Sequence, residues 1–125
     1  MTAEVVLVKV RAAVGRYGET VAAAHLEADG MDVLNRNWRC RIGEIDIVAL
    51  DQGCVVICEV KTRRTRAFGS PVEAVTVSKQ QRLRRLAGAW LAEQAGTYSG
   101  VRIDIVAVWL PARGSAVLEH LRGVC

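Results

Sequence analysis

Residues 43–62 read GEIDIVALDQGCVVICEVKT, two apolar runs separated by a short polar turn. Runs of Val and Ile that are bounded by Asp, Gln and Gly are typical of a β-hairpin. The sequence therefore predicts two antiparallel strands, 43–50 and 55–62, joined through residues 51–53.

Charged residues interrupt both apolar runs at two-residue spacing. Because side chains alternate across a strand, Glu44 and Asp46 share one face of the first strand, and Glu59 and Lys61 share one face of the second. Burying an unpaired charge is costly. Carboxylates beside a lysine could hold a hard divalent cation and a water next to a phosphate, which is the chemistry of a metal-dependent nuclease. The alternative is a structural ion pair between Lys61 and one of these acids.

The length of the hairpin turn decides whether the two acidic strands converge. A two-residue turn at 52–53 places Asp46 directly opposite Glu59. A three-residue loop places Asp46 opposite Cys58, on the wrong face, unless a β-bulge restores the phase. The sequence favours neither arrangement, and the metal hypothesis requires the first arrangement or the bulge.

The rest of the chain completes an α/β pattern. Ser78 and Gln81 form a capping box that predicts the start of a second helix. Its apolar stripe consists of Leu83, Leu86, Ala87, Trp90 and Leu91. The other predicted elements are a helix over 15–29 and strands over 31–39, 101–110 and, at one edge, 116–121. The order predicts helices packed on a mixed central sheet, in a single domain spanning residues 1–125.

Composition fits a folded basic domain: 125 residues, 51% of them hydrophobic, with a net charge of +4 and a pI near 9.2. From residue 61 to residue 85 there are eight basic residues and one acid, Glu73. A second basic group consists of Arg36, Arg39 and Arg41. Such clusters suit a polyanion such as nucleic acid. A solvated basic surface without a partner is the alternative.

Cysteine and histidine usage predicts no zinc site. The four cysteines form no Cys-x-x-Cys pair, which indicates thiols in a reducing compartment. His25 and His120 are interpreted as isolated residues without a ligand partner, and Asp104 is expected to face solvent. The apolar run at residues 5–8 is too short for a membrane span or signal peptide, so we expect a cytoplasmic protein that does not bind membranes.

Taken together, five segments resemble one protein family. The chain is similar, over about residues 15–110, to the YraN family of small bacterial proteins. This family falls in the restriction-endonuclease-like superfamily of metal-dependent nucleases and is similar to archaeal Holliday-junction resolvases. The segments that carry the resemblance are Gly15-Arg16-Tyr17-Gly18-Glu19, Arg36-Asn37-Trp38-Arg39, Gly43-Glu44-Ile45-Asp46, Glu59-Val60-Lys61-Thr62-Arg63 and Phe68-Gly69-Ser70-Pro71.

The resemblance implies a core in the order αβββαβ and a defined set of roles. Asp46 and Glu59 would bind the metal, with the Val60 carbonyl completing the site, and Lys61 would position the attacking water. Glu19 resembles the additional acid of the resolvase branch. Gln80 resembles a residue that contacts the phosphate or the nucleophile in related nucleases. Two positions depart from the family pattern, Ile45 in place of proline and Cys58 in place of a larger apolar residue.

The resulting expectation is a DNA endonuclease dependent on Mg²⁺ or Mn²⁺, because no His or Cys converges on the acids. The expected substrate is DNA. The resemblance to resolvases adds branched DNA or a four-way junction as one candidate form, while the sequence does not distinguish branched from single-stranded or nicked DNA. A homodimer would suit symmetric cleavage of a junction. The residues expected to contact DNA are Arg39, Arg41, Arg63, Arg64, Arg66, Lys79, Gln80, Arg82 and Arg85. The alternatives are a nucleic-acid-binding module with little turnover and a partner in a DNA-processing complex.

Overall fold

The computed structural model describes residues 3–64 and 76–123, with the backbone alone described over 3–12. The chain is an α/β protein with one five-stranded mixed sheet and two helices, consistent with the expected restriction-endonuclease-like core. Its elements are α1 (Ala3–Ala28), β1 (Asp32–Cys40), β2 (Gly43–Asp51), β3 (Cys54–Arg63), α2 (Val77–Ala92), β4 (Gly100–Trp109) and β5 (Val117–Leu121).

The strands lie in the order in which they occur along the chain, β1-β2-β3-β4-β5. β1, β2 and β3 form an antiparallel meander, β3 and β4 are parallel, and β5 is antiparallel to β4. Parallel neighbours need a crossover connection, and α2 lies in the one between β3 and β4. The predicted edge strand near the C-terminus is confirmed as β5.

The hairpin of β2 and β3 has the two-residue turn. Asp51 pairs with Cys54, and the pairing continues in phase to Ile47 opposite Cys58. Gln52 and Gly53 both have positive φ, at 50° and 86°. Positive φ at both central residues is the geometry of a type I′ turn, which matches the twist of paired strands. The three-residue alternative is therefore wrong.

Each face of the sheet is covered by one helix. α1 packs Ala22, Ala23 and Leu26 on one face, against a cluster that includes Ile47, Val56, Cys58, Val106 and Val108. On the other face α2 presents four buried residues of the predicted apolar stripe, Leu83, Leu86, Ala87 and Trp90. Because both faces are covered, polar side chains within the sheet need partners or a function.

Two predicted helix boundaries are wrong. α2 begins at Val77, and its N-cap is Thr76 rather than Ser78. The Thr76 hydroxyl accepts a hydrogen bond from the Lys79 backbone N–H at 3.2 Å, which satisfies one free donor of the first turn. α1 begins at Ala3 instead of near residue 15. Residues 65–75 lie outside the described residues, and with them the expected DNA contact Arg66 and the segment Phe68-Gly69-Ser70-Pro71.

Two further observations concern the thiols and the helices. Cys40, Cys54 and Cys58 are free, and burial raises the pKa of the Cys58 thiol well above its usual value. Neither helix, over its described residues, has the length and apolarity that crossing a membrane requires.

Candidate active site

The candidate site lies where the pairing of β2 with β3 stops. Ile47–Cys58 is the last pair of this ladder, and Asp46 and Glu59 are the next residues on their strands. The Val60 backbone N–H donates to Asp46 Oδ2 at 2.9 Å. A side-chain oxygen thus takes the place of a backbone acceptor, and this bond holds the Asp46 carboxylate against β3.

Three of the predicted acids meet at this point. Glu19, Glu44 and Asp46 each offer one carboxylate oxygen, and these oxygens all lie within 4.8 Å of one another. Glu19 comes from α1, which approaches β3 closely because Gly18 lies against Thr62 with no room for a Cβ atom. The close approach of α1 therefore brings a third carboxylate to two that share β2.

The surroundings of Asp46 disfavour the ionised form of its carboxyl group. The pKa of Asp46 is raised from 3.8 to about 6, and burial is the largest cause. The hydrogen bond from the Val60 N–H acts in the opposite direction, whereas the nearby charges of Glu59, Glu19 and Glu44 add to the rise. A bound cation would offset both the cost of burying the Asp46 charge and its repulsion by the neighbouring acids. The cluster therefore favours a positively charged ligand.

Glu59 has one satisfied and one unsatisfied oxygen. Its Oε1 forms salt bridges with Lys79 Nζ at 2.8 Å and with Lys61 Nζ at 3.3 Å. Its Oε2 is buried and has no hydrogen-bond partner among the described residues. Burial, followed by the neighbouring Lys79, lowers the pKa of Lys61, while Glu59 raises it. A buried carboxylate oxygen without a donor is costly, so this atom also favours a cation.

A cavity of about 230 Å³ joins these groups. Asp46 and Glu59 both line it, although Glu59 is not one of the three acids whose oxygens cluster. α2 contributes Arg82 and Leu83 to the wall. The cavity therefore has acids on the sheet side and a cation on the helix side.

The predicted DNA contacts differ in their surroundings. Arg39 Nε lies 3.1 Å from Glu44 Oε2 at the rim of the cluster, so its charge offsets that acid. Arg63 Nη1 donates to the carbonyl of Thr62 at 2.9 Å. Arg41, Arg64 and Arg85 are exposed and Gln80 is half-buried.

Lys79 has a role that the sequence analysis missed. It was predicted as a DNA contact, but its ammonium group lies inside the site on Glu59. The strand topology could have predicted this contact. A helix that connects two parallel strands begins near the end of the first strand, so the first turn of α2 lies near the end of β3.

The interpretation of both histidines and of Asp104 is wrong. Asp104 is fully buried, and Arg102 binds both of its oxygens, at 2.8 and 3.0 Å. His120 Nε2 lies 2.7 Å from Asp104 Oδ2, and His120 Nδ1 lies 3.2 Å from His25 Nε2. Alternation along β4 gave no sign of this burial, because β5 supplies His120 from 16 residues further along the chain.

Fold and site together define a restriction-endonuclease-like α/β protein with a cluster of acids at the end of its central hairpin. Residues 18–108 match the model of the family described as "Uncharacterised protein family UPF0102". The chain belongs to this family, which is the YraN family expected from the sequence.

Relatives from three bacteria support the assignment. The UPF0102 protein of Kineococcus radiotolerans is 55% identical over 94% of this chain and 97% of its own. The corresponding protein of Streptomyces coelicolor is 60% identical over 91% of this chain and 89% of its own. That of a Nocardioides species is 50% identical over 92% and 93%.

Proposed function

We propose that this protein is a metal-dependent DNA endonuclease that hydrolyses phosphodiester bonds. The observation that carries the proposal is the concentration of carboxylate groups with few hydrogen-bond donors at the site. Three carboxylates, one of them that of Asp46, cluster together, and the buried Oε2 of Glu59 in the same cavity has no donor among the described residues. Such an arrangement costs stability unless a cation binds there.

The donor set fits Mg²⁺ or Mn²⁺. The clustered donors, Glu19, Glu44 and Asp46, are all carboxylates, and hard cations of this kind prefer oxygen ligands. Asp46 and Glu59 would hold the cation together with Glu44 or Glu19, and the Val60 carbonyl remains a proposed ligand. When bound, the cation supplies a water of lowered pKa and neutralises phosphate oxygens.

The chain's own groups prepare the site for a phosphate. The Val60 N–H fixes the orientation of Asp46, and Lys79 holds Glu59 through Oε1. The Lys61 ammonium, 3.3 Å from the same oxygen, would orient the attacking water and offset charge in the transition state. Arg82, on the cavity wall, would contact the DNA backbone.

The test is cleavage of labelled linear, flapped and four-way-junction DNA with Mg²⁺, Mn²⁺ or chelator. Asp46→Asn, Glu59→Gln and Lys61→Ala should each reduce cleavage by at least about 100-fold. Arg122→Gln is the control, because Arg122 lies near Asp51 at the hairpin turn, the opposite end of β3 from Glu59. Wild-type rates in both Asp46→Asn and Lys61→Ala would disprove the assignment.

One observation favours a second function, a DNA-binding module with little turnover. Two lysines already neutralise Oε1 of Glu59, as in a structural ion-pair network. For such a module, Asp46→Asn would leave DNA binding unharmed or tighter, and the wild type would cleave none of the three substrates with either metal. If the protein is an enzyme, Asp46→Asn should likewise leave DNA binding unharmed or tighter, but the wild type should cleave DNA in the presence of metal.

Preference for branched DNA, and action as a homodimer, form part of the nuclease proposal. Cutting two symmetric strands of a junction calls for two sites related by a two-fold axis. Light scattering should show two chains per four-way junction. A monomer both free and bound to the junction would remove this part of the proposal.

A further inference from the structure

A second cluster lies away from the acidic cavity, between α1 and the edge strand β5. His25 and Asp29 are four residues apart, and the Asp29 backbone N–H donates to the His25 carbonyl at 3.0 Å, as in a continuing helical turn. This spacing places both side chains on one side of the helix end. His120 reaches the same place from β5. One ligand atom from each of the three residues lies within 4.8 Å of the others.

We propose that His25, His120 and Asp29 form a site for Zn²⁺ that ties α1 to β5. The two imidazole nitrogens that face each other, His25 Nε2 and His120 Nδ1, are 3.2 Å apart. Two nitrogen ligands of a tetrahedral zinc, each at its usual bond length, are about 3.3 Å apart. The nitrogens therefore already have the separation that the ion requires.

The surroundings of His120 fix which nitrogen is available. Its Nε2 lies 2.7 Å from Asp104 Oδ2, and Asp104 is held in turn by Arg102 and by the Gly123 backbone N–H at 2.9 Å. An N–H donated from Nε2 to this carboxylate leaves a lone pair on Nδ1. Carboxylate–histidine–metal arrangements of this kind orient metal ligands in proteins.

The third ligand is more accessible than the histidines. The side chain of Asp29 is 37% exposed and forms an ion pair with Arg122, whereas the side chain of His120 is 7% exposed. A carboxylate has two oxygens, so one can bind the metal while the other keeps the guanidinium. The ion would therefore enter from the side of Asp29. A water on the same side would be the fourth ligand of the tetrahedral zinc.

Without metal, the contact between the two rings is a hydrogen bond that shares one proton. Because Nδ1 of His120 holds a lone pair, His25 carries its hydrogen on Nε2 in that state. Binding requires His25 to take its other tautomer, with the hydrogen on Nδ1, so no proton is released. Two imidazoles and one carboxylate favour Zn²⁺ over Mg²⁺, which separates this site from the acidic cavity.

Zinc binding is measured on metal-free protein in excess Mg²⁺, by calorimetry and by metal analysis after dialysis. One Zn²⁺ per chain should bind and raise the melting temperature. His25→Gln and His120→Gln keep an N–H donor near the original position but lose the imidazole, and each should weaken affinity by at least about 100-fold. Asp46→Asn, which alters only the acidic cavity, should bind Zn²⁺ as the wild type does. If both glutamine variants bound Zn²⁺ with the affinity of the wild type, or if the wild type bound none, the proposal would be overturned.

Co²⁺ substitution identifies the ligands directly. The proposal predicts a four-coordinate visible spectrum without the near-ultraviolet band that thiolate ligands give. That band would assign the metal to a cysteine thiolate and would refute the histidine site; among the described residues, Cys40 and Cys54 are free and partly exposed. The result does not depend on nuclease activity, so the two proposals fail separately.

Discussion

Replacement of Asp46 by Asn should stabilise the metal-free protein at neutral and alkaline pH. Asp46 is ionised there at a site where burial and three neighbouring acids oppose its charge. Asn removes the charge and keeps an oxygen that can accept the 2.9 Å hydrogen bond from Val60. The substitution therefore removes a cost while leaving the main contact in place.

The magnitude follows from the pKa of Asp46, which is raised from 3.8 to about 6 in the folded protein. Because the folded pKa is the higher one, the folded state binds the proton more tightly, and stability falls as pH rises through this interval. The difference corresponds to an upper limit of about 3 kcal/mol at 1.36 kcal/mol per pKa unit, and partial exposure reduces it to about 1.5–2 kcal/mol. Below pH 3.8 the aspartate penalty is absent, and the two proteins should have similar stability.

Urea unfolding in chelator at a series of pH values from acid to pH 8 measures the effect. Asp32→Asn is the control, because Asp32 is exposed at the start of β1 and should change stability by less than about 0.5 kcal/mol. Saturating Mn²⁺ should stabilise the wild type by about 2.7 kcal/mol at 100 times its dissociation constant, and Asp46→Asn by much less. A variant that is no more stable than the wild type at pH 8, or an advantage that persists in acid, would refute the reasoning.

Two further predictions concern the positioning of α1 and the basic surface. Gly18→Ala should destabilise the fold by about 1–3 kcal/mol, because the added Cβ meets Thr62, and Thr62→Ala in the same chain should recover most of the loss in thermal unfolding. Additive losses in the double variant would contradict this contact. Arg82→Ala should weaken DNA binding and lower the slope of log affinity against log salt by about one, whereas Arg122→Gln should leave the slope unchanged. Equal slopes for all three proteins would show that Arg82 contacts no phosphate.

Local patterns predicted most of the fold because they depend on neighbours in sequence. The alternation of residues 43–62 gave the hairpin, and the apolar stripe of α2 gave its buried face. The turn length stayed open because it depends on a positive φ at Gln52, which non-glycine residues seldom adopt. The start of α2 was displaced by two residues because Thr76 and Ser78 are both of N-cap residue types. Intrinsic preference and the capping box favour Ser78, whereas the structure uses Thr76.

The contacts that sequence reasoning missed all join distant parts of the chain. His25 and His120 are 95 residues apart, and they meet only because β5 adds to the sheet edge under α1. Lys79 reaches Glu59 because α2 connects parallel strands. Alternation and helical period contain no information about such pairings, so isolated His and Lys residues were assigned to the surface or to DNA.

Asp104 and Asp46, two acids of the sheet, show why only one of their sites is proposed to bind a hard cation. Burial opposes the charge of Asp104, but hydrogen bonds from His120, Arg102 and the Gly123 N–H outweigh it and lower the pKa of that carboxyl. Asp46 has one backbone donor and three acidic neighbours, and its pKa rises to about 6. An acid with a full set of donors stabilises the fold as it is, and its histidine partner is free to use its other nitrogen. An acid short of donors destabilises the fold until a cation binds, and ionisable groups held in this way are concentrated at functional sites. The shortage of donors around Asp46 and Glu59 is therefore the physical basis for proposing catalysis at this end of the hairpin.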